Sequence, residues 1–180
     1  VKATTEFTGQ VFGQLDSNGV ASSTQGGAES AVPRAYGFSD PDSVAMDTVN
    51  HRLFVSDYTN NRVLVFNLDS SNVLADFTAD YVLGQPNFIN IYPNAGGITM
   101  SLWGPRGLVF DGSSLLYVAD SRNNRVMVYN VSTIVNGEDA VSVLGQADLT
   151  GQSSGTTNAR LSGPFGLAHN VTSGTLYVGD

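Results

Sequence analysis

The chain has 180 residues, a net charge of −8, only 13% charged residues and no cysteine. Disulfides, zinc–thiolate centres and cysteine catalysis are therefore excluded, and the acidic field repels a nucleic-acid backbone or an anionic membrane surface. No run approaches the ~20 apolar residues of a membrane span, so neither nucleic acid nor membrane is expected as a partner.

Gly, Ser, Thr and Asn are abundant, which favours strands and turns over helices. In chain order, the first apolar run is Glu6–Gly13, ending in VFGQ at 11–14. A long Gly- and Ser-rich stretch, Leu15–Ser39, follows. Short strands are then expected near 43–47, 52–56, 62–67 and 80–84, the last ending in VLGQ at 82–85. A second long stretch, Pro86–Trp103, leads to strands near 107–111, 115–119, 125–130 and 141–145, the last again ending in VLGQ at 143–146. After Ala147–Ser162 come two more strands, near 166–170 and 175–179. Val, Ile, Phe and Tyr populate these runs, and Gly, Pro, Asn and Asp separate them.

The order repeats. DPDSVAMD at 40–47 answers to GPRGLVFD at 104–111 and GPFGLAHN at 163–170. LFVSD at 53–57 answers to LYVAD at 116–120 and LYVGD at 176–180. SDYTNNRVLVF at 56–66 returns as ADSRNNRVMVY at 119–129. Each unit reads as four antiparallel strands, a to d. In NRVLVF, Leu64 and Phe66 form one apolar face and Val63 and Val65 the other, so this strand is expected to be buried on both faces. Four-stranded sheets, each sandwiched by its neighbours and repeated radially, make a β-propeller. The organisation expected is one propeller segment over 1–180. Residues 1–39 hold a leading strand d and long loop, 40–103 and 104–162 are two blades with long loops, and 163–180 are strands a and b of a third.

These motifs resemble the NHL repeat: the Gly/Asp-Pro opening of strand a, the LYVAD strand b and the NNRV start of strand c. The chain is similar in particular to bacterial NHL proteins with a VLGQ strand and a long segment before the next Gly-Pro. The resemblance implies an all-β propeller, usually of six blades, and no single function: members bind proteins, RNA or ligands, and a few relatives are lyases or lactonases. A propeller takes ~4–8 blades. The sequence holds between two and three, so the expectation is a homodimer that closes a six-bladed ring, with the N-terminal strand seated in the partner's last blade. Val1 is not an initiator residue, so any leader is taken as removed or outside the sequence.

The turn residues Asp57 and Arg62, like Asp120 and Arg125, are expected to form structural pairs, with the Asn pair between them closing the turn in left-handed backbone angles. His169 replaces Met46 and Phe110 and is expected in the core. His51 is expected on the surface, in the a–b turn. Asn170 aligns with Asp47 and Asp111, which points to a turn role. No Ser-His-Asp set assembles. No cofactor is expected. Carboxylates could hold calcium, which prefers several oxygen ligands, but DYTNNR and DGSS lack the regular ligand spacing of a calcium loop.

Ligand binding is expected where matching repeats diverge. After the strand-a proline the residue is Asp42, Arg106 or Phe165. Strand a lines the channel of a propeller, so this residue faces the mouth that receives the long d–a loops. Trp103, Phe88 and Tyr92 lie in those loops, and aromatics beside an arginine can form a stacking platform. The expected function is a non-catalytic binding domain for a protein, peptide or glycan, extracellular or on the cell surface. Two other readings are kept: a metal-dependent lactonase- or lyase-like propeller enzyme, and a purely structural propeller fragment that oligomerises.

Overall fold

A computed structural model describes residues 34–180 except 96, 98 and 158. The expected leading strand at Glu6–Gly13 lies outside the described residues. Ten strands follow in chain order. The first sheet holds β1 (Pro41–Asp47), β2 (Arg52–Asp57), β3 (Arg62–Asn67) and β4 (Tyr81–Leu83). The second holds β5 (Pro105–Phe110), β6 (Leu115–Asp120), β7 (Arg125–Asn130) and β8 (Ser142–Leu144). The third pairs β9 (Gly166–Asn170) with β10 (Thr175–Gly179). Every pairing is antiparallel and between chain neighbours. The protein is thus all-β, and its sheets are successive blades of a propeller, here called blades 1, 2 and 3.

Strand a begins two residues earlier than expected in blades 1 and 2, at the prolines themselves. Pro41 pairs with Asp57 and Pro105 with Asp120, and in each case the register shifts before pairing resumes at Val44 and Leu108. A proline has no N–H for the ladder, so the first strand residue beside a bulge is one of the few sheet positions open to it. The residue before each proline has positive φ: Asp40 at 63°, Gly104 at 63° and Gly163 at 76°. That left-handed geometry explains why the motif opens with Gly or Asp.

The core lies between sheets. Phe54, Val63, Val65 and Leu83 of blade 1 pack with Leu108, Leu116, Val118, Met127 and Tyr129 of blade 2. Leu53, Val55, Leu64 and Phe66 form the opposite face of blade 1, with Phe38 and Val82. Both faces of β3 are therefore buried, as its double apolar alternation requires. Full burial of such side chains stabilises the fold by ~1.5–3 kcal/mol each. Ring pairs repeat across the seams: Phe54 stacks on Phe110, and Tyr117 on His169. His169 thus does occupy the seam position of Phe110, half-buried, with its Nδ1 buried and unpartnered.

His51 departs from expectation. It is half-buried rather than on the surface, adopts φ 55°, and its Nδ1 lies 2.9 Å from Asn72 Oδ1. The turn role of Asn170 holds. Its Oδ1 accepts from the backbone N–H groups of Thr172 and Ser173, as Asp47 does from Val49 and Asn50, and Asp111 from Ser113, Ser114 and Leu115.

Candidate functional site at the channel mouth

The mouth is built where strands b end, strands c begin and the d–a loops return. Its frame is the repeated Asp–Asn–Asn–Arg turn. Asp57 Oδ2 accepts from Arg62 Nε at 2.7 Å and from Asn60 Nδ2 at 2.9 Å, while Oδ1 accepts from Ser39 N–H at 2.7 Å. Arg62 then donates to the carbonyls of Phe88, Gly37 and Arg34, all in d–a loop segments. Blade 2 repeats the device: Asp120 accepts from Arg125 Nε, Asn123 and Trp103 N–H, and Arg125 donates to Leu149 and Ser101. The pairs form within a blade, and both are fully buried. Burial pushes the Asp57 and Asp120 carboxyls above their usual range, and the paired guanidinium and N–H donors pull them partly back.

The second asparagine takes the left-handed conformation, φ 54° at both Asn61 and Asn124. Its side chain joins blades: Asn61 Oδ1 accepts from Gly104 N–H at 2.8 Å, and Asn124 Oδ1 from Gly163 N–H at 3.0 Å. The glutamine of VLGQ holds the loop itself. Gln85 Nε2 donates to the carbonyls of Asn61 and Tyr92, and Gln146 Nε2 to those of Asn124 and Ser153. These four roles were missed in the sequence, although the recurrence of both motifs was their signal. In blade 3, Asp180 Oδ1 accepts from Ser162 N–H at 2.6 Å, the bond that Asp57 makes to Ser39 and Asp120 to Trp103.

On this frame the three divergent strand-a residues meet. Arg106 Nη1 donates to Asp42 Oδ2 at 2.7 Å, with both side chains partly exposed at 28% and 22%. The Arg106 guanidinium also lies over two rings, 4.2 Å from the centroid of Tyr58 and 4.5 Å from that of Phe165. Tyr58 in turn receives a hydrogen bond at its hydroxyl from Arg122 Nε, at 3.1 Å, and carries the Arg122 guanidinium over its ring at 5.2 Å. The contacts run Phe165–Arg106–Tyr58–Arg122, alternating aromatic and guanidinium, across all three blades.

The other expected ligand residues fall elsewhere. Phe88 packs against the outer apolar cluster of blade 1 and ties its loop down. Tyr92 is exposed and contributes its carbonyl to Gln85. Trp103 is half-buried, its N–H held by Asp120 and its carbonyl by Arg122 N–H. Tyr58 and Arg122 were not singled out from the sequence. They occupy turn positions where the two copies differ, Tyr58 against Ser121 and Thr59 against Arg122, the same signal that marked Asp42, Arg106 and Phe165. Among the described residues, no group of three or more His, Asp or Glu side chains is gathered as a metal would need.

A search of the curated proteins finds no match. A family model described as "NHL repeat" matches residues 38–66, which span β1, β2, the Asp57–Arg62 turn and nearly all of β3. Blade 2 repeats those strands and the same hydrogen bonds beyond the matched span, which supports the NHL-repeat family.

Proposed function

We propose that this chain is a non-catalytic binding propeller whose protein, peptide or glycan ligand meets the face carrying the d–a loops. The supporting observation is that the repeat position after the strand-a proline, divergent in all three blades, converges in one linked cluster, Asp42–Arg106–Phe165. Framework positions repeat because each blade needs the same turn. A position that changes in charge and size, yet is assembled at the mouth, fits selection for what binds there. The test is to screen peptide display and glycan panels, then repeat the measurement with Arg106→Ala. The expected result is a binder lost on substitution while the melting temperature stays within a few degrees. Binders indifferent to Arg106 would remove the mouth from consideration. The acidic, lysine-poor composition supports an extracellular or cell-surface place, to be checked by fractionating the source cells.

A second reading concerns closure. We propose that copies of this chain pair flank to flank. Equivalent seam positions are buried between blades and open at the flanks: Leu108 is 6% exposed but its counterpart Val44 62%, and Phe54 is 0% exposed but its counterpart Tyr177 59%. The leading flank of blade 1 also holds a cavity of about 300 Å³ lined by Phe38, Pro41, Asp42, Ser43, Val44 and Val55. In blade 2 the counterparts of Asp42, Val44 and Val55, which are Arg106, Leu108 and Val118, pack against blade 1. Sedimentation equilibrium decides the matter. Twice the chain mass, reduced to one by Tyr177→Lys, is expected, and a wild-type monomer at high concentration sinks the reading.

A further inference from the structure

The binding role proposed for the mouth leaves open what chemistry the ligand presents, and Arg122 supplies an answer. Its backbone N–H is fixed on the Trp103 carbonyl, its stem lies against Gly104, and its Nε donates to the Tyr58 hydroxyl. Both terminal nitrogens lack a partner among the described residues, and none of the described carboxylates pairs with this guanidinium. Three other mouth arginines differ. Arg62 and Arg125 are spent on buried aspartates and loop carbonyls, and Arg106 on Asp42. Arg122 is therefore a positioned cation with its fork directed to no group of the described fold. These restraints on its backbone, stem and Nε reduce the rotamer entropy that an exposed arginine ordinarily loses on binding.

The charge layout agrees. The far end of the described blades, made by the a–b turns and c–d loops, carries Asp69, Asp76, Asp80, Glu138 and Asp139 besides the turn residues Asp47 and Asp111. Arg52 is the one cation there among the described residues. The mouth carries Arg34, Arg106, Arg122 and Arg160 against Asp40, Asp42, Asp148 and Asp180. One end repels anions and the other is balanced. Phe165, at the opposite end of the contact chain from Arg122, is 55% exposed and offers an apolar surface beside the charge. Ile89 and Tyr92 are exposed on the neighbouring loop. A mixed aliphatic and aromatic surround favours a peptide over a sugar. The net charge of −8 disfavours a polyanion, so a single carboxylate is the suited charge.

We infer that the mouth binds a peptide segment bearing an isolated Asp or Glu side chain, its carboxylate gripped by the Arg122 fork and an adjacent apolar residue laid on Phe165. A planar guanidinium can take a carboxylate through two parallel N–H donors, which gives both strength and orientation.

The experiment is panning of a random peptide library, displayed on phage, against the whole chain. The inference expects enriched sequences with one acidic residue near an apolar one. A synthetic copy of an enriched peptide should lose about tenfold in affinity when its acid becomes the amide, and about as much against Arg122→Gln. The two losses should not add when combined, because they remove the same contact. Phe165→Ala should weaken binding without abolishing the dependence on the acid. Arg122 is exposed, so its substitution leaves folding intact, which circular dichroism checks. Enriched peptides without a carboxylate, or equal affinity for the amide peptide, overturn the anchor while leaving the binding role standing. No enrichment at all overturns both for peptides.

Discussion

Two aspartate–arginine pairs close at the same 2.7 Å and do different things. Asp57–Arg62 is sealed from water, and every donor given for its arginine ends on a carboxylate or a loop carbonyl. Asp42–Arg106 sits at the mouth, partly wet, with its guanidinium over two rings. The buried pair repeats in blade 2 as Asp120–Arg125, whereas the mouth pair occurs once in the described blades because its position carries Asp, Arg and Phe in turn. Distance alone does not assign a role. Burial and the partners of the remaining nitrogens do.

Breaking the buried pair gives the largest effect. Arg62→Ala leaves Asp57 enclosed without its cation and should cost about 3–5 kcal/mol, read from urea unfolding. A loss below ~1 kcal/mol, the level of surface pairs, would erase the contrast between the two sites. Next is Gly107→Ala at the seam, where an added Cβ runs into the Phe165 carbonyl of blade 3. Backbone cannot swing aside as a side chain can, and a cost of about 1–3 kcal/mol is expected. Protease cutting near 163–170 should rise in parallel if the two sheets part.

Asn61→Ala tests whether the second asparagine joins blades. It orphans Gly104 N–H and the Ile91 carbonyl, and should cost ~1–3 kcal/mol, with hydrogen exchange faster at Gly104 than in β7. Uniform exchange would show that the contact is idle. The smallest stability effect belongs to the mouth: Arg106→Ala should cost only ~0.2–1 kcal/mol for the partly exposed pair, with a comparable term from the rings. Equal damage from Arg106→Ala and Arg62→Ala would mean that the mouth pair is framework too.

The frame was legible because the same turn problem is solved twice. LFVSDYTNNRVLVF and LYVADSRNNRVMVY share their apolar alternation and turn chemistry, and the observed β2–β3 and β6–β7 hairpins follow from those strings. The pairing of Asp with Arg was legible for the same reason. The site was legible only in part. Divergence picked out Asp42, Arg106 and Phe165, but Tyr58 and Arg122 sit in a turn whose consensus hid them. Phe88 looked like a platform residue and instead packs beneath its own loop, since an aromatic in a long loop reads alike whether it faces outward or inward.

By itself the sequence determined the strands, their antiparallel order and the buried turn pairs, because these depend on contacts within one blade, a few residues apart in chain order. Tertiary structure alone decided that Phe165, Arg106, Tyr58 and Arg122 touch, and that Asn61 and Asn124 reach the next blade. Those contacts cross seams between sheets, and the curvature that sets which side chains meet there comes from packing two apolar faces together, not from any local string.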